Sequence, residues 1–122
     1  MLRDTQQRRA IRRVFLSAAN PLTPDDVLKW AQDVIPSLGI ATVYRTLKML
    51  TEEGWLAAVE LPGGTIRYEI AARPHHHHFI CRGCAQAFDM HGCPQDVDRL
   101  APQGFTVEAH ELILYGRCAA CA

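Results

Sequence analysis

Two Cys-x-x-Cys pairs constrain this chain more than anything else in it: Cys81-Arg-Gly-Cys84 and Cys118-Ala-Ala-Cys121. Each pair sets two sulfurs on one tight turn. Two such turns can close a tetrahedral shell of four thiolates around a zinc-class ion, with no open position. The same residues also suit a second reading, two dithiols of which one is redox-active. The stretch between the pairs is longer than in a compact zinc ribbon, so spacing leaves both readings open. Immediately upstream runs His75-His76-His77-His78, internal to the chain and leading into Phe79-Ile80. Such a tract is either a solvated polar loop or a metal-binding segment. On an extended segment alternate side chains face opposite sides, so His76 and His78 would share one face and His75 and His77 the other. Cys93 is left over and reads as a small thiol rather than a ligand.

At 122 residues the chain is one small domain or two very small ones. Units near ~60 residues bury modest cores and lean on a metal or a partner chain. Formal net charge is zero, yet Arg3, Arg8, Arg9, Arg12 and Arg13 crowd the first segment against Asp4 alone. A local basic stripe suits nucleic acid even when the total is neutral. No apolar run is long enough to span a bilayer. The polar, basic start carries no export signal, so a reducing cytoplasm is expected, where paired Cys-x-x-Cys is more often metal or redox than disulfide.

Along the chain, Asp4 and Gln7 suggest a capping pair, and Ile11, Val14, Phe15 and Ala18 recur at helical spacing. Thr23-Pro24-Asp25-Asp26 is a strong helix start, with Val27, Trp30, Ala31 and Val34 as the expected buried face. A third helix is expected over 39–53, with Ile40, Val43, Leu47 and Leu50 inward and Gly54 at its end. Thr42, Tyr44, Arg45 and Lys48 lie on its other faces and suit base edges and phosphates. Residues 56–61 and 65–70 flank Pro62-Gly63-Gly64 and read as a β-hairpin. Three short helices followed by a hairpin form a winged helix-turn-helix pattern, the third helix entering the major groove. The second half reads as a short strand near 86–88, a short helix opened by Pro94, and a last strand over about 105–115.

Gly39-Ile-Ala-Thr-Val-Tyr-Arg-Thr-Leu47, the Gly63-Gly64 wing, His75-His-His-His-Phe-Ile-Cys-Arg-Gly-Cys84 and Leu114-Tyr-Gly-Arg-Cys118 resemble the ferric uptake regulator (Fur) family of metal-responsive repressors, in order and spacing over nearly the whole chain. The resemblance implies an α+β architecture. Residues 1–70 would form a winged helix-turn-helix DNA-binding domain and 71–74 a linker. Residues 75–122 would form a small α/β dimerisation domain with a four-cysteine zinc site. It implies a structural zinc on Cys81, Cys84, Cys118 and Cys121. It implies a regulatory Fe(II), Mn(II) or Zn(II) on Glu69, His76, His78 and Asp89. An additional site would use His75, His77, His110 and a carboxylate near Asp96. Arg8 matches a position near the DNA backbone, and Arg3 would reach phosphate or the minor groove.

The expected function is a metal-dependent repressor that binds double-stranded operator DNA as a homodimer, with no enzymatic activity, small-molecule substrate or membrane partner. One departure concerns the loop before the second helix, where relatives usually supply a histidine ligand. Here it reads Asn20-Pro21-Leu22, and no histidine precedes His75. His91 and Cys93, near Asp89 in sequence, offer donors for an altered sensing site. The alternatives are a peroxide sensor, in which Fe(II) on His76 and His78 oxidises its own ligands, a zinc enzyme with an open metal position, and a zinc-stapled interaction module.

Overall fold

A computed structural model describes residues 2–72, 74–94 and 96–122, with side chains from residue 6 onward. Arg3 and the proposed Asp4 cap therefore lie outside the described side chains. The chain is a mixed α+β protein that divides into two compact units, Met1–Arg73 and Pro74–Ala122.

The first unit contains α1 (Leu2–Ser17), α2 (Pro24–Ala31), α3 (Ile40–Glu52), β1 (Leu56–Glu60) and β2 (Ile66–Ile70). Its core draws on every one of these helices: Ile11, Val14, Phe15, Val27, Ala31, Val43, Leu47 and Leu50, joined by Leu22, Leu38 and Leu56. α2 starts where Thr23 closes a capping box. The Asp26 amide donates to Thr23 Oγ1 and the Thr23 amide to Asp26 Oδ2, each at 3.1 Å. Pro24 follows at a position whose amide has no helical acceptor to lose.

α3 ends in a Schellman arrangement. The Trp55 amide reaches Leu50 O at 2.9 Å and the Gly54 amide reaches Thr51 O at 3.0 Å. Gly54 adopts φ 83°, which a side chain would disfavour. β1 and β2 pair antiparallel from Leu56↔Ile70 to Glu60↔Ile66. Leu22 adds an isolated bridge to Tyr68, with both backbone hydrogen bonds made.

Three expectations for this unit change. α2 stops at Ala31, and Trp30 (46% exposed) and Val34 (61%) face outward. Val27 and Ala31 are buried as expected, and Pro24 and part of Leu28 complete the buried stripe in place of Trp30 and Val34. Past Ala31 the chain tightens into a turn, with the Val34 amide bonded to Ala31 O and Gln32 Nε2 bonded to Leu38 O. That turn carries Val34 away from the core and leaves Ile35 to pack. Ile40 is also exposed, because the first turn of α3 precedes the point where the helix meets the core.

The second unit is a three-stranded sheet in the order β4-β3-β5. β3 (His77–Cys81) pairs antiparallel with β4 (Ala87–Met90) and parallel with β5 (Ile113–Gly116). A single 3-10 turn, Val97–Leu100, stands where the sequence suggested a helix. The last strand is much shorter than the expected 105–115. Only from Ile113 does the chain lie in register with His78. Phe105, Val107 and Leu100 remain exposed, and so do Leu114 and Tyr115 on the edge strand itself.

Candidate metal centres

Three groups of metal-binding side chains can be built from the residues of the second unit upward. The first is Cys81, Cys84, Cys118 and Cys121, whose sulfurs lie within 4.8 Å of one another. Cys81 is buried at the end of β3 and accepts three backbone N–H groups, from Gly83 at 3.3 Å, Cys84 at 3.4 Å and Cys118 at 3.3 Å. Gly83 permits the turn, since a Cβ there would meet Cys121 Cβ and Sγ at 3.0 Å. The second pair is drawn in by β5, where the Arg82 amide bonds Gly116 O at 2.7 Å.

The electrostatics of these four sulfurs call for a cation. The amides of Cys118 and Cys84 lower the Cys81 thiol to about 6, so it is largely ionised at neutral pH. Hydrogen bonding with Cys118, Cys81 and Cys84 pushes the Cys121 thiol up to about 12. Four thiolates packed this closely cannot all ionise unless a metal shares their charge. The geometry fits zinc: a tetrahedron with Zn–S near ~2.3 Å has edges of ~3.8 Å, and Cys84 Sγ lies 3.8 Å from Cys118 Sγ.

The other two groups grow from the alternation of side chains along β3. His76 and His78 lie on one face beside Asp89 of β4, which pairs with His78. Asp89 Oδ1 is 3.6 Å from His76 Nε2 and 3.4 Å from His78 Nε2. The carboxylate side chain is 1% exposed. Two imidazoles and one carboxylate suit a first-row divalent ion such as Fe(II), Mn(II) or Zn(II). Glu69 belongs to the first unit, where it is buried on β2 and lines a small cavity with Phe15, Asn20 and Ile70.

His75 and His77 meet His110, which precedes β5. His75 Nε2 is 3.1 Å from His77 Nε2 and 3.3 Å from His110 Nε2. Burial holds the His77 imidazole below its usual pKa, helped by the charges of His75, His110 and His76. The fourth member of this group is Cys93, its Sγ 3.0 Å from His110 Nε2 and 3.4 Å from His77 Nε2. Asp96 itself faces Arg99 at 3.5 Å with its side chain 79% exposed, and the carboxylate near it that meets this group is Asp98, 3.2 Å from His110 Nδ1. The reason is local: the 3-10 turn begins at Val97, so Asp96 points to solvent and the preceding loop delivers Cys93. The sequence offers Cys93 as a donor only by its nearness to Asp89, and the fold sets it with His75, His77 and His110 instead. His91 is exposed and joins none of the three groups.

The candidate nucleic-acid face of the first unit is α3. Tyr44 is 54% exposed, Arg45 and Lys48 are exposed, and Arg45 Nη2 donates to Thr42 Oγ1 at 3.1 Å. Arg8 is half-buried and turns toward the end of α3, 3.8 Å from Glu53. Arg12 shares that carboxylate at 3.6 Å and stacks over Trp55 at 5.3 Å, so it braces the fold rather than only solvating a face. Pro21 is fully buried. Among the described residues no helix is long and apolar enough to cross a membrane.

The chain matches the profile of the Ferric uptake regulator family over residues 1–115. It is 32% identical to the peroxide operon regulator of Bacillus subtilis, over 99% of this chain and 85% of that protein. It is 30% identical to the ferric uptake regulation protein of Campylobacter jejuni, over 98% of this chain and 80% of that one. Among solved structures, a zinc-bound manganese uptake regulator superposes with a TM-score of 0.80 at 28% identity, covering 92% of this chain and 87% of the other. Cysteine pairs, histidine strand and overall fold thus agree with a sequence match that spans most of the chain, which belongs to the ferric uptake regulator family.

Proposed function

We propose that this chain is a metal-responsive transcriptional repressor whose regulatory ion binds at His76, His78 and Asp89, with Glu69 added on the sequence resemblance. The observation that carries this reading is the convergence of two imidazoles on a nearly inaccessible carboxylate, 3.4 and 3.6 Å away. Such a group accepts Fe(II), Mn(II) or Zn(II), and the ion would offset the desolvation that otherwise opposes burying the Asp89 carboxylate. The four-cysteine group would hold a structural zinc and fasten β5 to the turn after β3.

The three helices and hairpin of the first unit support a winged helix, with α3 presenting Thr42, Tyr44, Arg45 and Lys48 to the major groove. Arg8, and Arg3 on the resemblance, would add phosphate contacts. β5 supports a homodimer. It is an edge strand whose Leu114 and Tyr115 are exposed, and Leu100 and Phe105 are uncovered nearby. Two copies would present two recognition helices to successive half-sites. The buried Pro21 has no donor atom on its side chain, so the loop before α2 would contribute no imidazole to this response.

The test is an anaerobic gel shift on DNA upstream of the chain's own gene, using protein that retains one zinc. Fe(II), Mn(II) and Zn(II) are titrated separately. Metal-dependent binding that is lost in Asp89→Ala and in Arg45→Ala supports the proposal. Equal binding with and without metal would remove the regulatory role. Similarity to a peroxide operon regulator favours one second reading, oxidation of His76 or His78 by their own Fe(II). Mass spectrometry of the Fe(II)-loaded protein after peroxide treatment would show an added oxygen atom on that peptide.

A further inference from the structure

Glu53 is an acid where electrostatics gives it little reason to be. It caps the C-terminal end of α3, where the helix dipole disfavours negative charge, and the last turn of that helix carries no basic residue. It also lies on the ridge of α3 that runs through Arg45 and Met49 at every fourth residue. A carboxylate on that ridge repels phosphate. We infer that Glu53 is a positioning residue for DNA binding: its carboxylate holds the Arg8 guanidinium in line with Arg45, so that Arg8 meets the phosphate backbone beside the recognition helix. This inference rests on the proposed role of α3 in the major groove.

Geometry is the first argument. Arg8 comes from α1, and two contacts bring its head to α3. Its Nη1 lies 3.8 Å from Glu53 Oε1, and its Nη2 points at Met49 Sδ at 3.6 Å. Met49 and Glu53 are one turn apart, so the guanidinium is laid along the ridge about one helical pitch, ~5.4 Å, beyond Arg45. Each Nη carries two N–H groups, and these contacts take one apiece. One on each nitrogen remains for a phosphate oxygen, and a side chain 35% exposed leaves room for it.

Arg12 supplies the second argument. It stands one turn from Arg8 on α1, and like charges at that spacing repel. Glu53 accepts both, with Arg12 Nη2 3.6 Å from its Oε2. Arg12 is held a second time, over the Trp55 ring at 5.3 Å. Without the carboxylate, Arg12 keeps that ring, whereas Arg8 keeps only a thioether, a weak acceptor.

Charge counting and positioning predict opposite signs. Removing an acid beside a polyanion strengthens binding by simple electrostatics. Removing an acid that fixes a phosphate-binding arginine weakens it, because that side chain must then be ordered on binding, a loss of roughly two- to tenfold in affinity.

The test uses the metal-loaded full-length protein and a labelled duplex from upstream of its own gene, read by fluorescence anisotropy over a series of salt concentrations. Glu53→Gln should bind more weakly by this factor, yet cause no weakening in an Arg8→Ala background. Arg8→Ala should make the salt dependence shallower by about one counterion. Denaturant unfolding of Glu53→Gln should move little, because these ion pairs are part-exposed. Glu53→Gln that tightens binding, leaves it unchanged or weakens it equally in both backgrounds would overturn the inference, and so would Arg8→Ala that binds like the wild type. In those cases metal-dependent binding that is lost in Arg45→Ala keeps the repressor reading intact. A wild type that binds no duplex with any metal overturns both.

Discussion

Removing the structural zinc should unfold the second unit and leave the first folded. The first unit owns the hydrophobic core, whose fully buried members include Ile11, Val27, Val43, Leu47, Leu50 and Leu56. In the second unit the buried described residues are Cys81, Ala87 and His77, and neither apolar one is large. Phe79, Ile80, Phe88 and Ile113 add partly buried apolar surface, at ~1.5–3 kcal/mol for a side chain buried in full. Each strand residue held in place costs ~1–2 kcal/mol of backbone entropy, so packing within the unit faces an ordering cost at least as large. A structural zinc supplies an apparent ~10–16 kcal/mol in small metal-stabilised domains, and here it joins both ends of the unit. The assay is amide hydrogen exchange before and after chelation under reducing conditions, with zinc content measured in parallel. Protection should disappear across 77–90 and 113–116 and persist in α1, α2 and α3. Strand amides that stay protected in protein shown to be zinc-free would refute the reasoning, because the sheet would then be held by contacts that burial does not account for.

Other outcomes follow from single residues. Thr23→Ala removes one half of the capping box and should cost ~0.5–2 kcal/mol in denaturant unfolding of the first unit, with zinc content unchanged. Ala85 sits at φ 63° in the turn after Cys84; Ala85→Gly relieves a left-handed alanine worth ~1–2 kcal/mol and should raise the melting temperature of the zinc-loaded protein, offset in part by glycine's greater freedom when unfolded. Arg45→Ala should weaken operator binding about tenfold or more if Arg45 reads a base edge. Stability should not change, because the Arg45 side chain is exposed and its hydrogen bond to Thr42 lies at the surface of the same helix. His77 has a folded pKa below 6.5, so below that pH the unfolded chain takes up more protons than the folded one. Stability of the protein with zinc only at the four-cysteine group should therefore fall as pH drops from 6.5 and be insensitive to this group above it, and His77→Asn should flatten that slope.

Much of the site was legible before any coordinates. Cysteine pairs and the parity of a histidine run are local facts, because a tight turn and an extended strand dictate where neighbouring side chains point. The Thr23 capping box and the Gly54 stop were equally local. Cys93 was not legible, since a lone cysteine carries no spacing signal and its partners come from β3 and from His110. The role of Arg12 was hidden for the same reason: Glu53 and Trp55 lie far along the chain.

The sequence by itself determined which donors this protein offers, where α2 begins and α3 ends, and which alternate histidines share a face, since all of these depend on covalent spacing and backbone geometry. Tertiary structure decided that Trp30 and Val34 face outward while Val27 and Ala31 pack. It also decided the parallel pairing that shortened the last strand and set His110 beside β3. Above all it put Cys93 rather than Asp96 beside three imidazoles. Donors that converge on one ion are chosen by where loops and strands cross, and no local pattern records those crossings.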